Sequence, residues 1–347
     1  MPTPSRPGTS PSDEVVATAV SGEQILRRTD FHAAIRANKR ATVYLCVFLV
    51  LLGGGFGYLI GWLLEVWLMG VPYSDPVGHT GGLPLYTDGA MIGLGAMTLV
   101  SLIWIAIALG KGDRIMLRMV GAEPAPREEY EQLHNVVEEM AIAAGLPTPQ
   151  IDILDSDALN AFATGLRSDK ATICVTRGLL ETLSRDELQG VVAHEVSHIL
   201  NDDCIYATMV AVLVGLVALV SDSLLLGLRH GPRQGSGKGK GNALAFVVLM
   251  VVIIVAPLAA KLVQMSISRQ REYLADATAV KLTRNPKGLI GALRKIAGTD
   301  RRFAGANRAV QHLFIANPFR DFGAKASALM STHPPLADRI RRLADLA

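Results

Sequence analysis

The chain has 347 residues, 50% hydrophobic and 19% charged, with a formal net charge of +3. This is too apolar for an average soluble domain, and the basic residues gather beside apolar runs, where they report membrane orientation rather than nucleic-acid binding. The three dispersed cysteines, Cys46, Cys174 and Cys204, argue against a disulfide framework and for a reducing compartment.

Residues 1–40 are expected to form a cytoplasmic tail, partly disordered, because its first half is rich in Pro, Ser and Thr and has no apolar period. The apolar run at 41–69 would rise roughly 40 Å as a helix, more than the roughly 30 Å hydrocarbon core requires. With a second run at 89–109 it predicts a transmembrane hairpin over 41–109. Arg36, Lys39 and Arg40 precede the first run and Lys111, Arg114 and Arg118 follow the second, whereas 70–88 has neither Lys nor Arg. This bias places the N-terminus and everything after residue 110 in the cytoplasm. Two further runs, 205–228 and 243–265, predict a second membrane hairpin over 205–265. Its loop carries Arg229, Arg233, Lys238 and Lys240, against that orientation, so it either follows the lead of the first hairpin or lies shallow.

The polar segments 110–204 and 266–347 then meet on one side as the two halves of a single domain. Residues 127–144 read as an amphipathic helix stopped by Gly145 and Pro147, and 150–154 and 171–176 as short strands. Ser184 and Glu187 form a capping box ahead of a helix with Val191, Val192 and Val196 along it. The expected fold class is mainly α with a small β-sheet, plus two transmembrane helical hairpins.

That helix carries His194-Glu195-Val196-Ser197-His198, the HExxH pattern. Residues four apart share a helix face, so both imidazoles can point at one ion, and Glu195 is placed to take a proton from a zinc-bound water. Asn201 and Cys204 stand where one zinc class needs Gly and His, which excludes that class. The polar flanks disfavour a site buried inside a membrane span. A downstream carboxylate remains as the third ligand. Glu272 and Asp276 share a helix face in the segment after the second hairpin: Glu272 is placed to ligate, and Asp276 to accept the free N–H of a zinc histidine. The opposite reading of that segment is a solvated helix face of alternating charge.

With these motifs in hand, the chain resembles the HtpX-like bacterial membrane proteases and the related CAAX prenyl proteases over roughly residues 41–345. The resemblance rests on AHEVSHILNDD (193–203), SRQREYLADA (268–277), NAFATG (160–165) and STHPPLADRI (331–340). It implies a gluzincin-like zinc peptidase domain built from residues 110–204, which carry HExxH, and residues 266–347, which carry the third ligand. It also implies one Zn2+ per chain held by His194, His198 and Glu272, with Glu195 as catalytic base. The expected setting is a multi-pass protein of the bacterial inner membrane, its active site facing the cytoplasm. Its partners would be protein or peptide substrates, misfolded or membrane proteins among them, and the lipid bilayer, with no nucleic acid. Stress-linked quality control is the implied role.

By the same resemblance, Asn160, Ala161, Phe162 and Ala163 form an edge strand that pairs with extended substrate. His333 either stabilises the oxyanion or is a structural loop histidine. Arg339 either pairs with an acidic residue of the site or, as the favoured reading, is a surface helix charge. Asp202 stands where the family often has glycine. Two rival functions share these motifs: a CAAX-type processing protease acting on lipidated tails, and a non-catalytic zinc-stabilised scaffold. The intact Glu195 speaks against the scaffold.

Overall fold

The computed structural model describes residues 31–68, 86–211, 269–299, 313–315 and 334–346. His333, the 70–85 loop and the second hairpin beyond residue 211 lie outside the described residues.

Two long helices open the described chain, α1 (Phe31–Leu68) and α2 (Asp88–Val120). Both overrun the apolar runs that announce them, since a nucleated helix continues until something stops it. For α2 that stop is Gly121, left-handed at φ 70°, whose N–H closes on the carbonyls of the last turn. The segments Lys39–Trp62 and Asp88–Val120 are long and apolar enough to cross a bilayer, with mean hydropathies of 2.2 and 2.3. Val43, Leu51, Ile92, Leu99 and Ile103 stay exposed along them, an arrangement water disfavours and lipid accepts. The two helices pack antiparallel on small residues. A Cβ added to Gly57 would strike the carbonyl oxygen of Gly93, and one on Gly61 that of Gly89, so only glycine permits this approach.

The polar domain follows. Its sheet strands are β1 (Glu123–Pro124), β2 (Gln150–Leu154), β3 (Ala161–Thr164) and β4 (Thr172–Thr176). They lie in the order β1-β2-β4-β3, with β2 and β4 parallel and the outer pairings antiparallel, so β3 is an edge strand. The helices are α3 (Glu131–Ala144), α4 (Arg177–Thr182), α5 (Arg185–Leu200), α6 (Arg269–Thr283), α7 (Pro286–Gly298) and α8 (Leu336–Ala344). Residues 203–211 are also helical.

The capping box at the head of α5 forms as its sequence predicts: Ser184 Oγ accepts from the Glu187 N–H, and Glu187 accepts from the Ser184 N–H. Leu188, Val191, Val192, Val196 and Ile199 on α5 are buried, because α3, α6, α7 and β3 pack around it. Gly190 lets the backbone of α7 at Leu289 come into close contact, where a side chain would clash. This apolar enclosure fixes the HExxH helix on several sides. A second cluster joins the first two helices to the domain: Leu45, Ile105 and Met116 pack with Leu154, Phe162, Met209 and Phe314. Lys39 lies 3.7 Å from Asp202, so the basic end of α1 sits beside the exit of α5.

Candidate metal centre

The i, i+4 spacing on α5 brings the rings of His194 and His198 edge to face, with centroids 4.8 Å apart. Their Nε2 atoms are 3.3 Å from each other. Each ring turns its other nitrogen to a carboxylate: His194 Nδ1 is 3.0 Å from Asp276 Oδ1, and His198 Nδ1 is 3.0 Å from Asp203 Oδ2. These contacts hold the proton at Nδ1 and leave both Nε2 lone pairs aimed at the space between the rings. Glu272, on α6, completes the convergence, with Oε2 3.7 Å from His194 Nε2 and Oε1 3.7 Å from His198 Nε2. One donor atom from each of the three residues lies within 4.8 Å of the other two, close enough for one ion to be held among them.

Lone pairs facing one another at this range repel unless a cation or a proton stands among them. The protein's own field shows which charge the site prefers. Burial opposes the charged form of His198, yet the Asp203 hydrogen bond and the Glu272 charge more than offset it, and its pKa is pushed up to about 9. At His194, burial and the Arg339 charge also pull downward, but Asp276 and Glu272 win and the pKa rises. The same field favours a divalent ion. Two imidazoles and one carboxylate are a donor set that suits zinc with a coordination position to spare, so the residues fit such an ion.

Glu195 lies beside the pair, fully buried, and its Oε1 has no hydrogen-bond partner among the described residues. Burial raises its pKa, with His194 and His198 pulling the other way. A buried carboxylate with a free acceptor oxygen beside such a cluster is placed to receive a proton from water.

Two residues around the cluster escape a reading of the sequence. Asp203 is reached because the chain reverses just after α5: Asp202 adopts φ 56°, a left-handed conformation that glycine takes freely and Asp tolerates. The turn sends Asp203 back toward His198.

Arg339 is the correction. It is not a surface charge: its side chain is 0% exposed. It grips Asp276 through Nε and Nη2 at 2.9 and 2.7 Å and donates through Nη1 to the Ile315 carbonyl at 2.9 Å. Burial disfavours the charge of Asp276, but Arg339 and His194 keep its pKa below the usual carboxylate range. No local signal reveals this, since Asp276 and Arg339 lie on different helices, far apart in the chain. His333, read from the sequence as an oxyanion stabiliser or a loop histidine, lies outside the described residues. Asn160 is buried ahead of β3, and Ala161, Phe162 and Ala163 lie on that edge strand, Ala163 lining the same pocket as Glu195 and His198.

Comparison with known proteins agrees with this chemistry. The family model described as Peptidase family M48 matches residues 127–347. A protein named Protease HtpX homolog from Thermoanaerobacter pseudethanolicus is 42% identical over 264 residues, covering 75% of this chain and 87% of that protein. One of the same name from Dictyoglomus thermophilum is 38% identical over 313 residues, covering 90% of this chain and 94% of its own. Among solved structures, S. mikatae Ste24p matches with a TM-score of 0.44 and 20% identity, over 89% of this chain and 66% of that one.

Proposed function

Because the chain belongs to peptidase family M48 and is a membrane-bound metalloprotease, we propose that His194, His198 and Glu272 hold one zinc ion and that Glu195 is the general base of peptide-bond hydrolysis. The observation that carries this reading is the convergence of two Nε2 lone pairs and the Glu272 carboxylate beside Glu195 Oε1, which has no hydrogen-bond partner among the described residues.

When bound, zinc supplies a Lewis acid that polarises a carbonyl and acidifies water. The chain's own residues do the rest. Glu195 takes a proton from the attacking water as its oxygen bonds to the carbonyl carbon, then delivers it to the departing amine as the C–N bond breaks. Asp276 and Asp203 hold each imidazole in its Nδ1–H tautomer, and Arg339 holds Asp276. The domain read this way is gluzincin-like and formed by two stretches of chain, 110–204 and 266–347, with a second membrane hairpin at 205–265 between them.

In the same proposal the protein is multi-pass in a bacterial inner membrane, with its site on the cytoplasmic side. Two observations support that side: basic residues flank α1 and α2 where they meet the domain, and Lys39 lies beside the exit of the motif helix. Membrane or misfolded proteins are the substrates proposed, and the exposed apolar helices suit a lipid bilayer.

The test is Glu195→Gln in the purified full-length protein. It should retain zinc and lose about 10²–10⁴-fold in peptide cleavage. Proteolysis at the wild-type rate would remove Glu195 from the mechanism.

A further inference from the structure

We propose that the outer face of α2 binds an anionic phospholipid, its acyl chain lying along Val100, Ile103 and Ile107 and its phosphate held by Lys111, Arg114 and Arg118. None of these residues belongs to the metal cluster, and the ligand they take is independent of the peptidase reading.

Helical spacing decides the face. Positions 100, 103, 107, 111, 114 and 118 follow one another at three or four residues, so they form one stripe along α2. All six are exposed. The buried residues Ile105, Ala108, Gly112, Met116 and Val120 lie on the opposite side of the helix. The stripe therefore points away from the packed side. It changes character once, apolar as far as Ile107 and cationic from Lys111 on. A phospholipid changes in the same way along its length, from chain to headgroup. The cationic part covers seven residues of rise, about 10 Å, the order of a headgroup layer.

These cations are not spent on carboxylates. Among the described residues no ion pair or hydrogen bond engages the side chain of Lys111, Arg114 or Arg118. On the polar domain, by contrast, Arg127, Arg185 and Lys295 each reach a glutamate. The one carboxylate in this part of α2, Asp113, accepts the backbone N–H of Arg114 at 2.8 Å. Like charges left open beside an apolar face repel one another, and a phosphate among them removes that repulsion.

The neighbouring helix repeats the order. Arg40, Tyr44, Val47 and Leu51 follow at the same spacing on α1, all exposed, and the Arg40 side chain is likewise open among the described residues. Lys39 beside it turns to Asp202 instead. The contacts of Gly57 with Gly93 and of Gly61 with Gly89 set the antiparallel register, which brings Arg40 to the level of Lys111. The far ends of the two helices are different: no Lys or Arg occurs between residues 41 and 110, and Glu65 there accepts the Gly89 N–H. Inorganic phosphate would use the cations alone and leave the apolar half of each stripe idle. The continuity of chain face and charge selects a lipid.

The experiment places the full-length protein in phosphatidylcholine vesicles with a spin-labelled lipid, either phosphatidylglycerol or phosphatidylcholine. The immobilised fraction of each label gives their relative association with the protein. Wild type should favour phosphatidylglycerol by about threefold or more, and added chloride should weaken the preference. Glutamine at Arg40, Lys111, Arg114 and Arg118 together should bring the two lipids to about equal association. Glutamine at Arg229, Arg233, Lys238 and Lys240 should leave the wild-type preference in place. Equal association in wild type overturns the proposal, as does a preference that survives the first set of substitutions or is lost only with the second. Inorganic phosphate that displaces the label more strongly than chloride at equal ionic strength makes the cations a site for free phosphate and overturns the lipid. Should the first variant fail to fold, Arg114→Gln with Arg118→Gln decides, and an unchanged preference there overturns the proposal. No readout uses peptide cleavage, so the peptidase reading stands or falls separately.

Discussion

At the scale of the residue, the site is a nest of buried charges that hold one another in place. Asp203 bonds His198 Nδ1 and lies 3.9 Å from Arg271 Nη1, so it ties a ring of the cluster to the start of α6. Replacing it with Ala leaves the His198 tautomer unfixed, and zinc affinity should fall about 10–100-fold. Competition with a chromogenic chelator measures this, and unchanged affinity would mean the ring needs no such partner. The raised pKa of His198 has a second consequence. In metal-free protein its charge stabilises the fold fully below the ordinary value of 6.5, and the contribution is lost as pH rises through about 9. The melting temperature of chelator-treated protein should therefore fall between those values, and His198→Ala should flatten that fall. A metal-free protein whose melting temperature rises over this interval would contradict the sign. His194, His198 and Glu195 were readable as a triplet because one helix turn sets their relation. Asp203 and Arg339 were not, because their approach depends on a left-handed turn at Asp202 and on the docking of α8.

At the scale of the element, α5 is the helix most completely written in the sequence. Its cap, its apolar positions and its motif are local, and each appears where the pattern predicts. The strands at 150–154 and 172–176 were likewise visible as short runs, but their parallel pairing was not, because the chain must first form β3 at the sheet edge before β4 returns to lie beside β2. The α1–α2 pair offers a sharper test. Gly57 faces the Gly93 carbonyl oxygen at a distance no Cβ could share, whereas Gly55 has nothing within 4 Å of a Cβ built on it. Gly57→Ile should lower the melting temperature and the yield of folded protein in detergent, and Gly55→Ile should leave both near wild type. Equal effects of the two substitutions would show that helix propensity, and not packing, is at work.

At the scale of the whole molecule, the membrane helices and the peptidase domain share a core. Leu45, Ile105 and Met116 pack with Phe162 and Phe314, the pair that closes one end of the edge strand. The first two helices thus brace the edge strand. The proposed orientation predicts a labelling pattern. A cysteine at Tyr86, which is 81% exposed ahead of α2, should react with a membrane-impermeant reagent in intact cells. One at Glu138 on α3 should react only after permeabilisation. The reverse pattern would put the site on the outer side.

The sequence by itself determined the family, the membrane attachment, the cap and the spacing of the two histidines, because each of these is local: a helix turn, an apolar run or a short motif suffices to specify it. Only the tertiary structure decided that Arg339 is buried on Asp276 and that Ile315 closes on the Ala161 carbonyl. Those relations join Asp276 to Arg339 and Ala161 to Ile315 across long stretches of chain, and packing alone brings them within hydrogen-bond reach.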